Sequence, residues 1–221
     1  MVVGHTVPMP TASTLVLFGL AALALLVIPG PAVVYIVTRS IHRGRAAGLV
    51  SVLGVATGSL VHVAAAALGL SAVLMSSAVA FEVVKLGGAA YLIWLGIRTL
   101  RDRGDEDLPE ETGSARLSRA YAQGVIVNVL NPKTALFFLV FLPQFVDPAA
   151  GRPAPQMLIL GALFVTLGVL SDGTYALVAS RLGAWLRARP TFARNRRYVS
   201  GAAYITLGAV AALTGHRTDP A

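Results

Sequence analysis

The residues in this sequence with the most chemical potential are polar side chains inside long apolar stretches. Asp172 lies in LGVLSDGTYALVAS and Lys133 lies in VLNPKTALFFLV. A carboxylate in such a segment is costly and faces a cavity or a partner, so Asp172 is a candidate to exchange a proton or to bind an amine. The alternative for Asp172 is a structural hydrogen bond to a broken helix.

Lys133 and two nearby asparagines are the polar side chains in and beside the second of these segments. Lys133 can bind the carboxylate of a ligand or pair with Asp172, whereas the plainer interpretation is a lysine whose ammonium extends to water. Asn128 and Asn131 are three residues apart, on one face of a predicted helix, where either amide can bind a ligand or a loose backbone carbonyl. The sequence therefore predicts a binding site that includes all four side chains.

Two proline-containing breaks interrupt apolar runs. The first contains Pro29, Gly30 and Pro31 in LLVIPGPAVVYIV, and the second contains Pro132 in the Asn-Pro-Lys sequence. Proline has no N–H and clashes with the carbonyl four residues before it. In hydrocarbon the freed carbonyls need partners, so a break persists where protein, water or substrate supplies them. A single proline is consistent with a simple kink, but two matched breaks predict that these residues form a binding site.

The composition indicates an integral membrane protein. The chain has 221 residues, 56% of them hydrophobic and 13% charged, with a mean hydropathy of +0.72. Soluble domains carry about 25% charged residues. The absence of cysteine excludes disulfides, thiolate metal sites and dithiol electron transfer. We find no catalytic or nucleotide-binding motif, so we expect neither an enzyme nor a cofactor nor an ATP-driven pump.

The predicted fold is all-α, with one membrane domain over residues 1–221. A mixed-charge linker at 101–120 separates two halves, 14–100 and 121–215. Because each half has three spans, the second enters the membrane from the opposite side, which predicts two inverted three-helix repeats with broken first and fourth helices. The six spans, each long enough for about 30 Å of hydrocarbon, run over about 14–38, 46–70, 79–100, 121–146, 157–180 and 198–215.

The positions of the basic residues predict the orientation. The three loops on one side, with the adjoining helix ends, contain 14 of the 18 Lys and Arg residues, and the opposite side contains two. Because basic loops stay in the cytoplasm, we expect both termini outside. The same distribution accounts for the net charge of +8 without a nucleic-acid partner.

Other polar and small residues fit structural roles. A packed, hydrogen-bonded His62 is favoured over a proton relay, and Glu82 with Lys85 fits an ion pair at the membrane interface. Small residues spaced four apart allow close approach of helices and make a homodimer possible. This spacing is found among the glycines at positions 44, 48, 54 and 58.

Three segments in this order and spacing resemble the LysE/RhtB family of bacterial amino-acid exporters, over about 15–215. They are IPGPAVVYIVTRSIHRGRAAGLVSVLGVATG, FEVVKLGGAAYLIWLGIRTLR and NVLNPKTALFFLVFLPQFV. The resemblance implies a multi-pass protein of the bacterial plasma membrane that exports amino acids or close derivatives, driven by the proton motive force. Its partners would be the amino acid, protons and the lipid bilayer.

The resemblance also assigns residues. The break at 29–31 and the Asn-Pro-Lys break match the family's breaks in the first and fourth spans, and Asp172 matches an acidic position in the fifth. Basic, branched and hydroxylated amino acids are all carried within the family, so no substrate is implied. Two alternatives remain, a metal or small-ion exporter and a non-transporting scaffold. The first needs more intramembrane carboxylate, His or Cys ligands, and the second needs no matched breaks.

Overall fold

The computed structural model describes residues 10–69, 78–101, 113–147 and 152–187, together with 198, 201–202, 204–206 and 208–209. Every regular element in these residues is helical. The helices are α1 Ala12–Val27, α2 Pro31–Ala67, α3 Ala78–Arg101, α4 Gly113–Val129, α5 Pro132–Leu136 and α6 Pro153–Arg187. A π-helical turn, Phe137–Phe141, and a 3-10 turn, Leu142–Phe145, extend the short helix α5.

Helix α2 reverses direction at Gly44. This glycine has φ 82° and ψ −172°, a conformation that residues with a side chain rarely adopt. A Cβ at Gly48 would lie 3.1 Å from the Cβ of Ser40, although a straight helix would separate the two residues by about 12 Å. The two segments of α2, residues 31–43 and 45–67, therefore pack against each other. The turn falls in the loop predicted between the first two spans.

Both predicted breaks are present. Helix α1 ends at Val27, and the extended residues Ile28 and Gly30 lead into α2, which begins at Pro31. At the second break the extended Asn131 precedes Pro132, and the chain bends by 49° between α4 and the helical segment 132–145. Proline suits the first position of a helix because its missing N–H would have no partner there.

Length and apolarity identify two membrane-crossing helices among the described residues, Pro31–Ala67 and Pro153–Trp185, or three if the bent pair at the second break is one span. Since α2 reverses at Gly44, its one continuous range contains two segments. Residue 70 of the second predicted span lies outside the described residues, as do residues 199–200, 203, 207 and 210–215 of the sixth. Six spans and an inverted repeat thus stay predictions.

Two helices extend further than their predicted spans. Helix α4 begins at Gly113, inside the stretch predicted as a linker, and α6 runs over Pro153–Arg187 rather than 157–180. Apolarity detects only the part of a helix that lies in hydrocarbon, whereas the backbone hydrogen bonds continue into water. The segment with Arg116 and Arg119 is helical, although it falls within the stretch predicted as a linker.

Two apolar cores hold the helices together. The tyrosine core lies toward the arginine-rich end of the molecule, where the Gly44 turn, the start of α4 and the end of α6 meet. The phenylalanine core lies toward the other end. The tyrosine core contains Ala32, Tyr35, Ile36, Val52, Val55, Leu92, Leu95, Val127, Ala176 and Tyr204. The phenylalanine core contains Phe18, Ala22, Val63, Ala66, Phe137, Phe138, Leu142, Leu160 and Phe164.

Small residues bring α2 and α4 into close contact, as their spacing predicted. A Cβ at Gly124 would lie 2.8 Å from the carbonyl oxygen of Ser51, and a Cβ at Gly58 would lie 2.8 Å from the Cβ of Asn128. Neither position has room for a larger residue without movement of the backbone or of a buried side chain. The contact places Asn128 directly against α2.

Candidate functional site

Lys133 binds the carbonyls released at the first break. Because Pro29 has no N–H, the Leu25 carbonyl four residues before it loses its helical partner. The ammonium of Lys133 donates to the Leu25 oxygen at 2.6 Å and to the Ile28 oxygen at 2.5 Å. A Cβ at Gly30 would lie 3.1 Å from the Cδ of Lys133. The lysine of the second break thus stabilises the first.

A tyrosine satisfies the other carbonyl of this break. Pro31 removes the helical partner of the Val27 carbonyl, and the hydroxyl of Tyr175 on α6 donates to that oxygen at 2.8 Å. The sequence analysis did not identify Tyr175. The sequence feature that could have indicated Tyr175 is its position three residues after Asp172, which places both side chains on one face of α6.

Replacing Tyr175 with Phe leaves the Val27 carbonyl without its side-chain donor. We expect the free energy of unfolding to fall by about 1 to 3 kcal/mol, the cost of a backbone carbonyl that a break has freed within an apolar span and that has lost its donor. Thermal unfolding in detergent measures this effect. Tyr121→Phe is the matched control, because its hydroxyl bonds the hydroxyl of Thr57 at 2.9 Å and its removal frees no backbone carbonyl. An equal loss of stability in both variants would contradict the assignment.

The second break is satisfied in the same way. Pro132 removes the helical partner of the Asn128 carbonyl. The Nε2 of His62 lies 3.0 Å from that oxygen and donates to it, and the N–H of Asn131 also donates at 3.1 Å. The His62 ring stacks on Phe138 with 5.9 Å between centroids. His62 is the packed, hydrogen-bonded histidine that was predicted.

The two asparagines organise the second break. The Nδ2 of Asn128 donates to the Val55 carbonyl at 2.8 Å and to the Ser59 hydroxyl at 2.9 Å. Its Oδ1 accepts from the Thr134 hydroxyl at 3.0 Å. The Oδ1 of Asn131 accepts from the backbone N–H of Lys133 at 3.1 Å and so caps α5. Both amides bond protein groups: Asn128 binds a backbone carbonyl, which was one of its two predicted partners, whereas Asn131 binds the backbone N–H of Lys133 and the side chain of Asn128.

The two breaks and the α6 carboxylate line one cavity. Its polar lining includes Asn128, Asn131, Lys133 and Asp172, and Gly30 contributes backbone. Pro29, Pro31 and Pro132 shape the breaks without lining it. The apolar lining comes from both cores and their surroundings: Leu25, Leu26, Ala32, Val33, Val55, Ala56, Phe164, Val165, Gly168 and Val169.

The cavity lies between the two cores. The tyrosine core, through Ala32 and Val55, lies on one side of it, and the phenylalanine core, through Phe164, lies on the other. Its volume of about 40 Å³ holds about three water molecules and is smaller than an amino acid. A ligand of that size therefore requires the helices around the cavity to separate.

Asp172 is the acidic group of this cavity. It is 6% exposed, and no described residue donates a hydrogen bond to it or forms an ion pair with it. The Lys133 ammonium binds the carbonyls of the first break rather than forming the predicted direct ion pair with Asp172, although the two charges lie within electrostatic range of each other. A buried carboxylate without a hydrogen-bond donor is costly, so Asp172 is suited to hold a proton or a cationic ligand.

The N-terminus of α2 supplies the opposite polarity. It has no side-chain cap because Gly30 has no side chain, and Pro31 has no N–H. Ala32 and Val33, whose N–H groups belong to the uncapped first turn, line the cavity. Helix N-termini attract anions. By contrast, the start of α5 is capped by Asn131.

The arrangement complements a zwitterion. A carboxylate faces an uncapped helix N-terminus and a lysine across one small cavity, and the remaining walls are largely apolar. Among the described residues no three His, Cys, Asp or Glu side chains group together as a metal site would need. Glu82 and Lys85 have no described side chains, so their predicted ion pair lies outside the described structure.

Comparison with known proteins gives consistent matches along the chain. A family model described as LysE type translocator matches residues 23–215. A homoserine/homoserine lactone efflux protein of Salmonella typhi is 33% identical over 189 residues, which are 85% of this chain and 90% of the relative.

Two other relatives also match most of the chain. A leucine efflux protein of Klebsiella pneumoniae is 27% identical over 194 residues, 85% of this chain and 89% of the relative. A Vibrio cholerae protein described only as an uncharacterized membrane protein is 34% identical over 177 residues, 79% of this chain and 82% of the relative. No solved structure gives a significant match.

Proposed function

The chain belongs to the LysE type translocators and is a multi-pass membrane transporter rather than an enzyme, and on that basis we propose that it exports amino acids or close derivatives. The export would run from the bacterial cytoplasm across the inner membrane, driven by the proton motive force. Similar relatives are named for the efflux of homoserine and homoserine lactone and of leucine. Homoserine and leucine both combine an amino and a carboxyl group with an uncharged side chain.

The observation that supports this proposal most strongly is the convergence of both breaks and Asp172 on one cavity. In the bound state the substrate ammonium would contact the Asp172 carboxylate. The substrate carboxylate would contact the N–H groups at the start of α2, within reach of the Lys133 ammonium. Charge-assisted hydrogen bonds at both ends would orient the amino acid. The apolar walls would receive its side chain.

Proton coupling follows from competition for one carboxylate. Asp172 can hold a proton or a substrate ammonium, but one excludes the other. On the cytoplasmic side the carboxylate would release its proton and bind substrate, and on the outside it would release substrate and take up a proton. Each cycle then exchanges one cargo for the other. A neutralised Asp172 also avoids the cost of a bare charge while the cavity closes and reorients.

The fold offers a route to alternating access. In a carrier with six spans and two inverted repeats, rocking of one repeat against the other opens the cavity on alternate sides. The tyrosine and phenylalanine cores would separate in turn. We propose this arrangement with the arginine-rich end in the cytoplasm and both termini outside, in accord with the distribution of basic residues.

Export from loaded cells tests the proposed function. Cells that overproduce the protein are loaded with radiolabelled leucine or homoserine, and efflux is followed with and without a protonophore. We expect the protein to accelerate efflux of at least one of the two and the protonophore to abolish the acceleration. Acceleration that persists without a proton gradient would refute the coupling, and no acceleration with any amino acid of a full panel would refute the transport proposal.

A further inference from the structure

Arg39 lies in a second polar environment, outside the cavity. It follows Val33 on α2 by about two turns, or roughly 9 Å, toward the arginine-rich end. Its Nη2 donates to the Oε1 of Gln123 on α4. The guanidinium carbon lies 5.5 Å from the ring centroid of Tyr35. The Nε of Arg39 is buried and has no hydrogen-bond partner.

The charge of Arg39 has no counterion within the described part of the chain. The side chains in electrostatic range of it are tyrosines, at positions 35, 91 and 204. A buried N–H without a partner is uncommon in native proteins and calls for an explanation. Arg39 has one buried N–H without a partner and one N–H that donates to a neutral amide. In apolar surroundings such a side chain is suited to bind an anion.

Two nitrogens of the Arg39 side chain have the geometry that a carboxylate requires. Nε and Nη2 are the two donors on one edge of the guanidinium, and a carboxylate binds such an edge through two parallel hydrogen bonds. Gln123 provides a single neutral acceptor at this edge. A carboxylate would replace that one bond with two charged ones.

The position of Arg39 relates it to the cavity. The tyrosine core lies between the two, and the hydroxyl of Tyr35 in that core donates to the Ala120 carbonyl at 2.7 Å. This bond and the bond between Arg39 and Gln123 both join α2 to α4. Both contacts lie on the arginine-rich side of the cavity.

We propose that Arg39 is a carboxylate-binding station on the path from the arginine-rich end to the cavity. The substrate carboxylate binds Nε and Nη2 and displaces Gln123, which releases one of the contacts between α2 and α4. The carboxylate then moves to the N-terminus of α2. This inference rests on the proposed function, since it needs a substrate that carries a carboxylate.

The KM for transport from the arginine-rich face tests the station. The protein is reconstituted in vesicles, and leucine uptake is measured with that face exposed to the added leucine. We expect Arg39→Gln to raise KM about tenfold, the effect of a lost charge-assisted hydrogen bond, with Vmax nearly unchanged. Arg45→Gln is the matched control. It removes the same charge from an exposed position beside the Gly44 turn, and we expect it to leave KM unchanged.

Gln123→Leu provides an independent arm. It removes the group that competes for Nη2, so we expect KM to stay the same or fall, whereas a purely structural pair would give both variants the same defect. An unchanged KM in Arg39→Gln, or a lower Vmax at unchanged KM, would overturn the station. Absence of transport by the wild-type protein with every amino acid of the panel would instead overturn the proposed function on which it rests.

Discussion

Replacing Asp172 with Asn is expected to slow amino-acid export about 10- to 100-fold, which corresponds to the loss of one charge-assisted hydrogen bond to the substrate ammonium. Asparagine keeps the size of the side chain but holds neither a proton nor a cation by charge. The remaining export is expected to be insensitive to a protonophore, because the group that exchanges the proton is gone. Initial rates of leucine or homoserine efflux measure both effects.

Two further variants sharpen this prediction. Asp147→Asn makes the same chemical change at an exposed position outside the cavity and is expected to retain export within about twofold, the range of surface substitutions. Asp172→Glu restores the carboxylate at a shifted position and is expected to recover part of the rate and its protonophore sensitivity. Wild-type, proton-driven export by Asp172→Asn would remove this residue from the mechanism.

Replacing Lys133 with Met is expected to destabilise the protein by about 2 to 6 kcal/mol, because two backbone carbonyls at the first break, within an apolar span, each lose their donor at about 1 to 3 kcal/mol. These carbonyls, of Leu25 and Ile28, are the ones that the lysine binds at 2.6 and 2.5 Å. Methionine fills a similar volume but donates no hydrogen bond. The loss is measured as a lower unfolding temperature in detergent.

The control for this variant is Arg152→Met, which removes an exposed cationic side chain and is expected to leave the unfolding temperature nearly unchanged. Export by Lys133→Met is expected to fall as well, since an unsupported first break cannot present the N-terminus of α2 to the substrate. If Lys133→Met unfolds at the wild-type temperature and yet fails to export, Lys133 acts only on the substrate. The proposal that it stabilises the first break is then wrong.

The positions of the breaks follow from local chemistry and were predictable. Proline removes a hydrogen bond wherever it lies in a helix, so Pro29, Pro31 and Pro132 marked their own breaks and identified the carbonyls that they free. The polarity of the site was also predictable, since a carboxylate such as Asp172 is tolerated in an apolar helix only where it faces a cavity or partner.

The partners of the freed carbonyls were not predictable, because each donor comes from a distant part of the chain. Lys133 reaches Leu25 and Tyr175 reaches Val27, and no periodicity within one helix encodes such pairs. The sequence predicted that the Lys133 ammonium binds a ligand, pairs with Asp172 or extends to water, whereas in the structure it binds backbone carbonyls of the first break. Likewise the start of α4 at Gly113 was missed, since charge does not prevent a helix from continuing into water.

The relation between the two breaks gives the site its asymmetry. Each resumes as a helix with proline in the first position, but Gly30 leaves its helix uncapped and Asn131 caps the other. As a result only the first break offers free N–H groups to a carboxylate. The second break contributes the lysine that holds the first in place. This division of roles explains why the two proline motifs differ in sequence although the predicted repeat would place them at matching positions.

The central claim is that the cavity between the two breaks and Asp172 is the substrate site, and substrate protection of a cysteine there tests it most directly. The natural chain has no cysteine, so Val169→Cys places a single thiol in the cavity lining, and Ser13→Cys places one at an exposed site near the start of α1. The rate of modification by a small thiol reagent is measured with and without the exported amino acid. The account predicts that the amino acid slows modification at position 169, with half-protection near its KM, and has no effect at position 13. Equal rates at position 169 with and without substrate, in a variant that still exports, would contradict it.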